Sequence, residues 1–154
     1  MILWAKEISP KRNEERRSEL LKYMLDTDTC IFTIKRRPVH VKRLFNAHIG
    51  QLCISSVTWG ELVYGAENSE QVQRNLLDIE GFAARLEVLP FDAHAARQFG
   101  QLRAELSNAG RTIGAYDMMI AGHARSLGLI VVSNNVREFS RVSGIRLENW
   151  LENN

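Results

Sequence analysis

Three acidic residues in this chain sit where the flanking sequence suggests they can do chemistry. Asp26 closes the apolar run LLKYML, Glu61 lies in WGELVYGAE just after the run QLCISSV, and Asp117 lies in AYDMMIAGHARSLG just ahead of LIVVS. A lone Asp after a strand often only caps the next helix, and an acid in a helix's first turn, where Glu61 and Asp117 are both expected, is satisfied by the helix dipole. Asp117 resists that explanation. Ile120, Ala121 and Ala124 follow it at helical spacing and place it at the edge of a buried stripe, where an acid is costly unless paired or metal-bound. Acids brought within a few ångströms repel unless a cation neutralises them or one is protonated. Oxygen donors with no Cys/His set nearby select Mg²⁺, with Mn²⁺ as substitute. Mg²⁺ held by few carboxylates keeps water, which it can activate while stabilising phosphate oxygens. The expected site is therefore a catalytic, metal-holding cluster of Asp26, Glu61 and Asp117.

The elements that must position these acids alternate. Strands are expected at 20–25, 51–57, 86–91 and 129–133, with IRLENW as a last edge strand. Between them, TCIFTIKR reads as a helical turn or two, and Pro38 opens the helix VHVKRLFNAH as its first residue. Thr58 is the expected cap of WGELVYGAE. Residues 69–86 read as a long amphipathic helix with Val72, Leu76, Ile79 and Ala83 on one stripe. Asp92 caps a helix carrying Ala95, Phe99, Leu102 and Leu106, which Gly110 stops, and Gly128 ends the helix that holds Asp117. Apolar strands alternating with helices make an α/β fold with a parallel sheet covered on both faces. Sites in such folds form at the carboxyl ends of strands, where Asp26, Glu61 and Asn135 are all expected.

At 154 residues, 45% hydrophobic and 25% charged, the chain has the size and composition of one globular domain, and no apolar run approaches a membrane span. Cys30 and Cys53 lack metal-ligand spacing and read as buried, reduced thiols. The net charge of +2 is misleading about nucleic acid. Residues 1–22 hold six Lys/Arg and four Asp/Glu, which leaves fourteen of each in 23–154, so the body is neutral. Locally, however, KRRPVHVKR (35–43) carries five Lys/Arg, one His and no acid, a patch that can meet phosphates or simply be a solvated helix end. Residues 1–20 differ from the rest, being charge-rich with Trp4 as a sizeable apolar anchor. They read as a loosely attached extension or an artefact of cloning or start-site choice, with the domain at 21–154.

LDTDTCIF, SSVTWGELVYG, GAYDMMIAGHARSLG and VVSNNVREF, in this order, resemble the successive motifs of PIN-domain ribonucleases, and more closely of the VapC toxins of bacterial toxin–antitoxin pairs. The resemblance runs from about Leu21 to Trp150. It implies a three-layer α/β/α sandwich around a mostly parallel sheet and Mg²⁺-dependent endoribonuclease activity, with tRNA as a target of several members. It also implies a cytoplasmic homodimer and a VapB-type antitoxin, through whose complex alone operator DNA is met. It matches Asp26, Glu61 and Asp117 to the family's metal-site acids and Ser133 to the hydroxyl residue before its last acidic position. That position, frequently Asp, is here Asn135, which brings no charge and leaves a neutral or water-mediated ligand role and a second metal site in question. His123 reads as a packed or hydrogen-bonded histidine, Arg111 as a loop-surface arginine, and Trp59, Trp150 and Tyr64 as core or dimer contacts.

Two rival classes remain. DTDTC fits the opening D-x-D-x-T of haloacid-dehalogenase-type phosphatases, with Asp26 as nucleophile and Asp28 as general acid, but LIVVS ends in Asn134–Asn135 where that family needs an acidic pair. The other is a non-catalytic PIN-like binding protein, for which the uncharged Asn135 speaks and the three retained acids do not.

Overall fold

The computed structural model describes residues 20–152; the proposed extension, with Trp4, lies outside them apart from Leu20. Five short strands form one sheet: β1 (Tyr23–Leu25), β2 (Leu52–Ser55), β3 (Glu87–Leu89), β4 (Ile130–Val132) and β5 (Arg146–Glu148). Their order is β3-β2-β1-β4-β5 and every neighbouring pair is parallel. Tyr23 lies beside Leu52 on one side and Ile130 on the other, so the three central strands are in register. All residues of β1, β2 and β4 are buried, because helices cover both faces.

Side chains alternate between two cores, as the pleat requires. Tyr23, Leu25, Leu52, Ile54, Ile130 and Val132 face the first core, which is closed by α1 (Thr27–Lys35), α2 (Val39–Ala47), α3 (Ser56–Glu67) and α4 (Val72–Ala83). Met24, Cys53 and Val131 face the second, closed by α5 (Ala93–Asn108), α6 (Ala115–Leu127) and α7 (Val136–Phe139). Both cysteines are free and buried in these cores, and burial pushes both thiols up, Cys53 to about 12. Trp150 belongs to the first core, Trp59 packs against it half-buried, and Tyr64 is 70% exposed.

The strands are shorter than expected and the helix of residues 69–86 ends at Ala83; three further boundaries differ for a local reason. Ser55, not Thr58, caps α3: its hydroxyl accepts the Val57 N–H at 3.1 Å, so the helix starts at Ser56 and Glu61 falls in the second turn rather than the first. α4 starts at Val72 rather than 69, because Ser69 closes the preceding helix by donating both its N–H and its hydroxyl to the Ala66 carbonyl. Pro38 is the extended N-cap of α2 (φ −71°, ψ 156°) and not its first helical residue.

One topological fact positions the site. From β1 the chain moves outward through β2 to β3, then crosses back to place β4 on the other side of β1. The connections leaving β1 and β4 therefore diverge, and a crevice opens between the carboxyl ends of these two strands.

Candidate active site

Asp26 follows β1 directly and N-caps α1, its Oδ1 accepting the Thr29 N–H at 2.9 Å. Ser133 follows β4 directly, and its hydroxyl donates to Asp26 Oδ2 across the crevice. Two further bonds tie the strands here: the Asp26 N–H and the Thr29 hydroxyl both donate to the Val132 carbonyl, at 3.0 and 3.1 Å. Asp26 is 2% exposed, and burial raises its pKa despite the hydrogen bonds from Ser133 and Thr29 that favour the anion.

The opposite wall holds a second acid that the sequence reading overlooked. Asn135 is fixed by its own N–H, which donates to Ser133 Oγ at 2.8 Å. Its side-chain Nδ2 donates to Asp117 Oδ2 at 3.1 Å and to Glu138 Oε2 at 2.8 Å. Asp117, in the first turn of α6, is half-buried and pushed up to about 7 by desolvation first, then by its hydrogen bond and repulsion with Glu138 and by the charge of Asp26. Glu138, more exposed, is held below its usual value by the same hydrogen bond to Asp117. Of the two carboxyls, Asp117 is thus the one that holds a proton more readily, because it is the more desolvated. Gly114 leaves room here: a Cβ would lie 3.7 Å from Asp117 Oδ2 and 3.9 Å from Glu138 Oε2.

Glu61 stands apart from this constellation. Its Oε1 accepts the Thr27 hydroxyl at 2.6 Å, so it is tied to the residue next to Asp26. It also lines the end of an open groove of about 690 Å³ between α1, α3 and α4. The structure therefore brings together Asp26, Ser133, Asn135, Asp117 and Glu138, and links Glu61 to them only through Thr27. Glu138 was legible in principle, since it follows Asn135 by three residues and so shares its helix face. It reads like any surface charge on a short helix, and nothing nearby marks it.

Other singled-out residues have structural roles or lie at the surface. His123 is buried with Nδ1 2.8 Å from Ser55 Oγ, Arg111 is exposed on the loop before α6, and Asp28 is exposed in the first turn of α1.

The chemistry of the donor set suits a small dication. The donors are oxygens, and the mutual repulsion of Asp117, Glu138 and Asp26 that raises the Asp117 pKa favours positive charge among them. Among the described residues no three His, Cys, Asp or Glu side chains converge as a ready-made cage.

Comparison with known proteins identifies the family. Residues 23–145 match the PIN domain family. Over 131 residues the chain is 59% identical to the tRNA(fMet)-specific endonuclease VapC of Shigella flexneri, spanning 85% of this chain and 99% of that one. The VapC-containing crystal structure of DNA-bound VapBC from Salmonella typhimurium superposes with a TM-score of 0.82 at 58% identity, covering 84% of this chain and 98% of that one. VapBC2 from Rickettsia felis, bound to a promoter DNA fragment, gives 0.80 at 33% identity over 84% and 99%. The likeness spans both strands that flank the crevice and every acid around it, and the chain belongs to the VapC family of PIN-domain ribonuclease toxins.

Proposed function

We propose that this chain cleaves a tRNA, as its Shigella and Salmonella relatives are named for doing, and that the crevice between β1 and β4 is the catalytic site. The observation that carries the reading is that Asp117 and Glu138 share the side-chain amide of Asn135, while Asp26 joins them through Ser133, whose hydroxyl donates to Asp26 and accepts the Asn135 N–H. Asp26, Asp117 and Glu138 would hold Mg²⁺ or Mn²⁺, with Asn135 as a neutral or water-mediated partner and Glu61 acting at one remove. The ion, when bound, supplies a water of lowered pKa and positive charge against the phosphate oxygens.

The chain's own residues do the remaining work. Asp26 is pinned by Ser133 and the Thr29 N–H, so its free lone pairs point in a fixed direction. Asn135 holds Asp117 and Glu138 together at a set spacing, which spares the site reorganisation when substrate arrives. Asp117, pushed up to about 7 by desolvation and its acidic neighbours, would release its proton when it takes up the ion.

The reading extends to partners. Two relatives of solved structure, from Salmonella typhimurium and Rickettsia felis, are VapBC complexes. A VapB-type antitoxin would occupy the open groove, whose floor of Ile31, Ile34, Leu62 and Ile79 starts beside Glu61, and would place a cation toward the acids. The exposed ring of Tyr64 suits contact with a second copy of the chain. The proposed location is the cytoplasm; no described helix is long and apolar enough to cross a membrane.

The test is direct. Purified full-length chain should cut initiator tRNA in the presence of Mg²⁺ or Mn²⁺ and stop on addition of EDTA. Cleavage that survives exhaustive chelation overturns the metal mechanism, and cleavage of other RNAs at equal rates overturns the tRNA assignment.

A further inference from the structure

The basic run 35–43 does not form one patch in the fold. Lys35 and Arg37 line the groove beside Glu61, and Arg43 lines a separate hollow with His40 and His48. Arg36 and Lys42 instead meet Arg85, which arrives from the far end of α4. Two neighbouring elements and a third distant in sequence thus bring cations to one place.

Their arrangement is held from beneath. Phe45, fully buried and stacked on Phe82 at 5.4 Å, carries two of the cations over its ring: Lys42 Nζ 5.7 Å and the Arg85 guanidinium carbon 5.1 Å from its centroid. Arg85 is also pinned through Nη2, which donates to Asn46 Oδ1 at 2.7 Å. Lys42 lies below its usual pKa, first because it is partly desolvated and then because Arg85 and Arg36 repel it. Among the described residues the one side-chain ion pair is Arg125–Glu105, so no acid neutralises this group. Like charges gathered and fixed without a counter-charge are what an anion-binding surface needs.

We propose that Arg36, Lys42 and Arg85 form a phosphate-binding patch that grips the backbone of a folded RNA substrate away from the bond that is cut. The proposal rests on the nuclease reading above. RNA is favoured over a protein partner because the chain's own substrate is a polyanion. In addition, Asp26 caps α1 at its start and Arg36 at its end, ten residues on, so patch and crevice lie about 15 Å apart along the helix. That distance exceeds the reach of a single nucleotide at the crevice and lies within the body of a folded RNA. The patch therefore discriminates between a short strand and a structured molecule.

The experiment compares the full-length chain with a Lys42→Met/Arg85→Met variant, which keeps the apolar cover on Phe45, and a Lys42→Arg/Arg85→Lys variant, which keeps the charge. Binding of tRNA is measured across salt concentrations, and cleavage is measured on tRNA and on a short single-stranded RNA spanning the cut. The Met variant should bind tRNA about tenfold more weakly at moderate salt, with the slope of log affinity against log salt smaller by about two. Its KM for tRNA should rise with kcat unchanged, its cleavage of the short RNA should not change, and the charge-keeping variant should match wild type. An unchanged salt slope, or equal losses on tRNA and the short RNA, overturns the patch. So does unchanged tRNA binding with weakened antitoxin binding, which would make this a protein-docking surface. If wild type cuts neither RNA, the nuclease reading fails, while the tRNA-binding arm still decides the patch.

Discussion

A carboxylate can be neutralised by a proton, a cation or a hydrogen-bond donor, and the crevice supplies the third. Asn135 is the donor: one amide nitrogen serves both Asp117 and Glu138. Asn135→Asp removes those donations and places a third carboxylate against two others. The variant should melt at a lower temperature than wild type in EDTA, recover with added Mg²⁺, and reach half-maximal cleavage at a lower Mg²⁺ concentration. Melting and cleavage curves unaffected by the change would mean that the amide does no electrostatic work. Removing single charges has the opposite sense. Asp26→Asn keeps a good helix cap, so the fold should survive while cleavage falls about 10²-fold or more, and Glu138→Gln should cost a similar factor. Combined, the two should lose far less than the product of the single losses, since both act on one ion. Asp28→Asn should leave cleavage nearly intact, because Asp28 is exposed on the first turn of α1; a dead Asp28→Asn would revive the phosphatase chemistry of D-x-D-x-T. At this scale the sequence showed Asp26 and Asp117 because each interrupts an apolar pattern. It hid Glu138 because a charge on a one-turn helix interrupts nothing.

Among elements, the legible features were those with strong period and strong punctuation. β1, β2 and β4 announced themselves as apolar runs, and Asp92 and Gly128 mark their helix ends as expected, the first by accepting the Ala95 N–H at 2.9 Å and the second by taking φ 66°. What could not be read was which of several hydroxyls caps α3. Ser55, Ser56 and Thr58 are all competent, and tertiary contact decides: Ser56 receives the Phe91 N–H, Thr58 is buried in the helix, and Ser55 is left to cap. Also hidden was how closely α5 and α6 approach. A Cβ on Gly122 would sit 2.6 Å from the Phe99 backbone nitrogen and 2.8 Å from its Cα, so Gly122→Ala must push two backbones apart. It should destabilise the fold by roughly 1–3 kcal/mol in urea titrations, although alanine favours helix more than glycine does. A neutral or stabilising result would show that the two helices slide freely. His123, one residue on, supplies a pH dependence. Ser55 Oγ accepts from Val57 and offers its proton to Nδ1, which suits the neutral ring, and burial lowers the histidine's pKa. A lowered histidine pKa means that the unfolded chain binds the extra proton more readily. The stabilisation is therefore complete above about pH 6.5 and is lost as pH falls below it. His123→Gln, which cannot titrate, should melt with a shallower pH dependence between about pH 7 and 5 than wild type; parallel curves would mean that His123 charges without cost.

For the whole molecule the question is how a nuclease whose acids line a crevice is kept silent, and the groove beside Glu61 supplies the lever. A partner that only met the acids would gain charge pairing and little apolar burial. One that also lay along Ile31, Ile34, Leu62 and Ile79 would bury hydrophobic surface next to the site and gain both. Gly65 lines this groove on α3, is exposed, and has nothing within 4 Å of where a Cβ would stand. Gly65→Gln therefore fits the free fold, and removing a mid-helix glycine should slightly raise its melting temperature. The longer side chain projects into the space a partner would fill. RNA cleavage by the free variant should match wild type. Inhibition by the antitoxin, supplied from the small reading frame beside this gene, should need at least about tenfold more antitoxin, equivalent to about 1.4 kcal/mol of lost binding. Co-expression that rescues growth for wild type should then fail for Gly65→Gln. If the antitoxin silences both forms at the same concentration, the groove is not where it binds, and control must be exerted at the crevice alone.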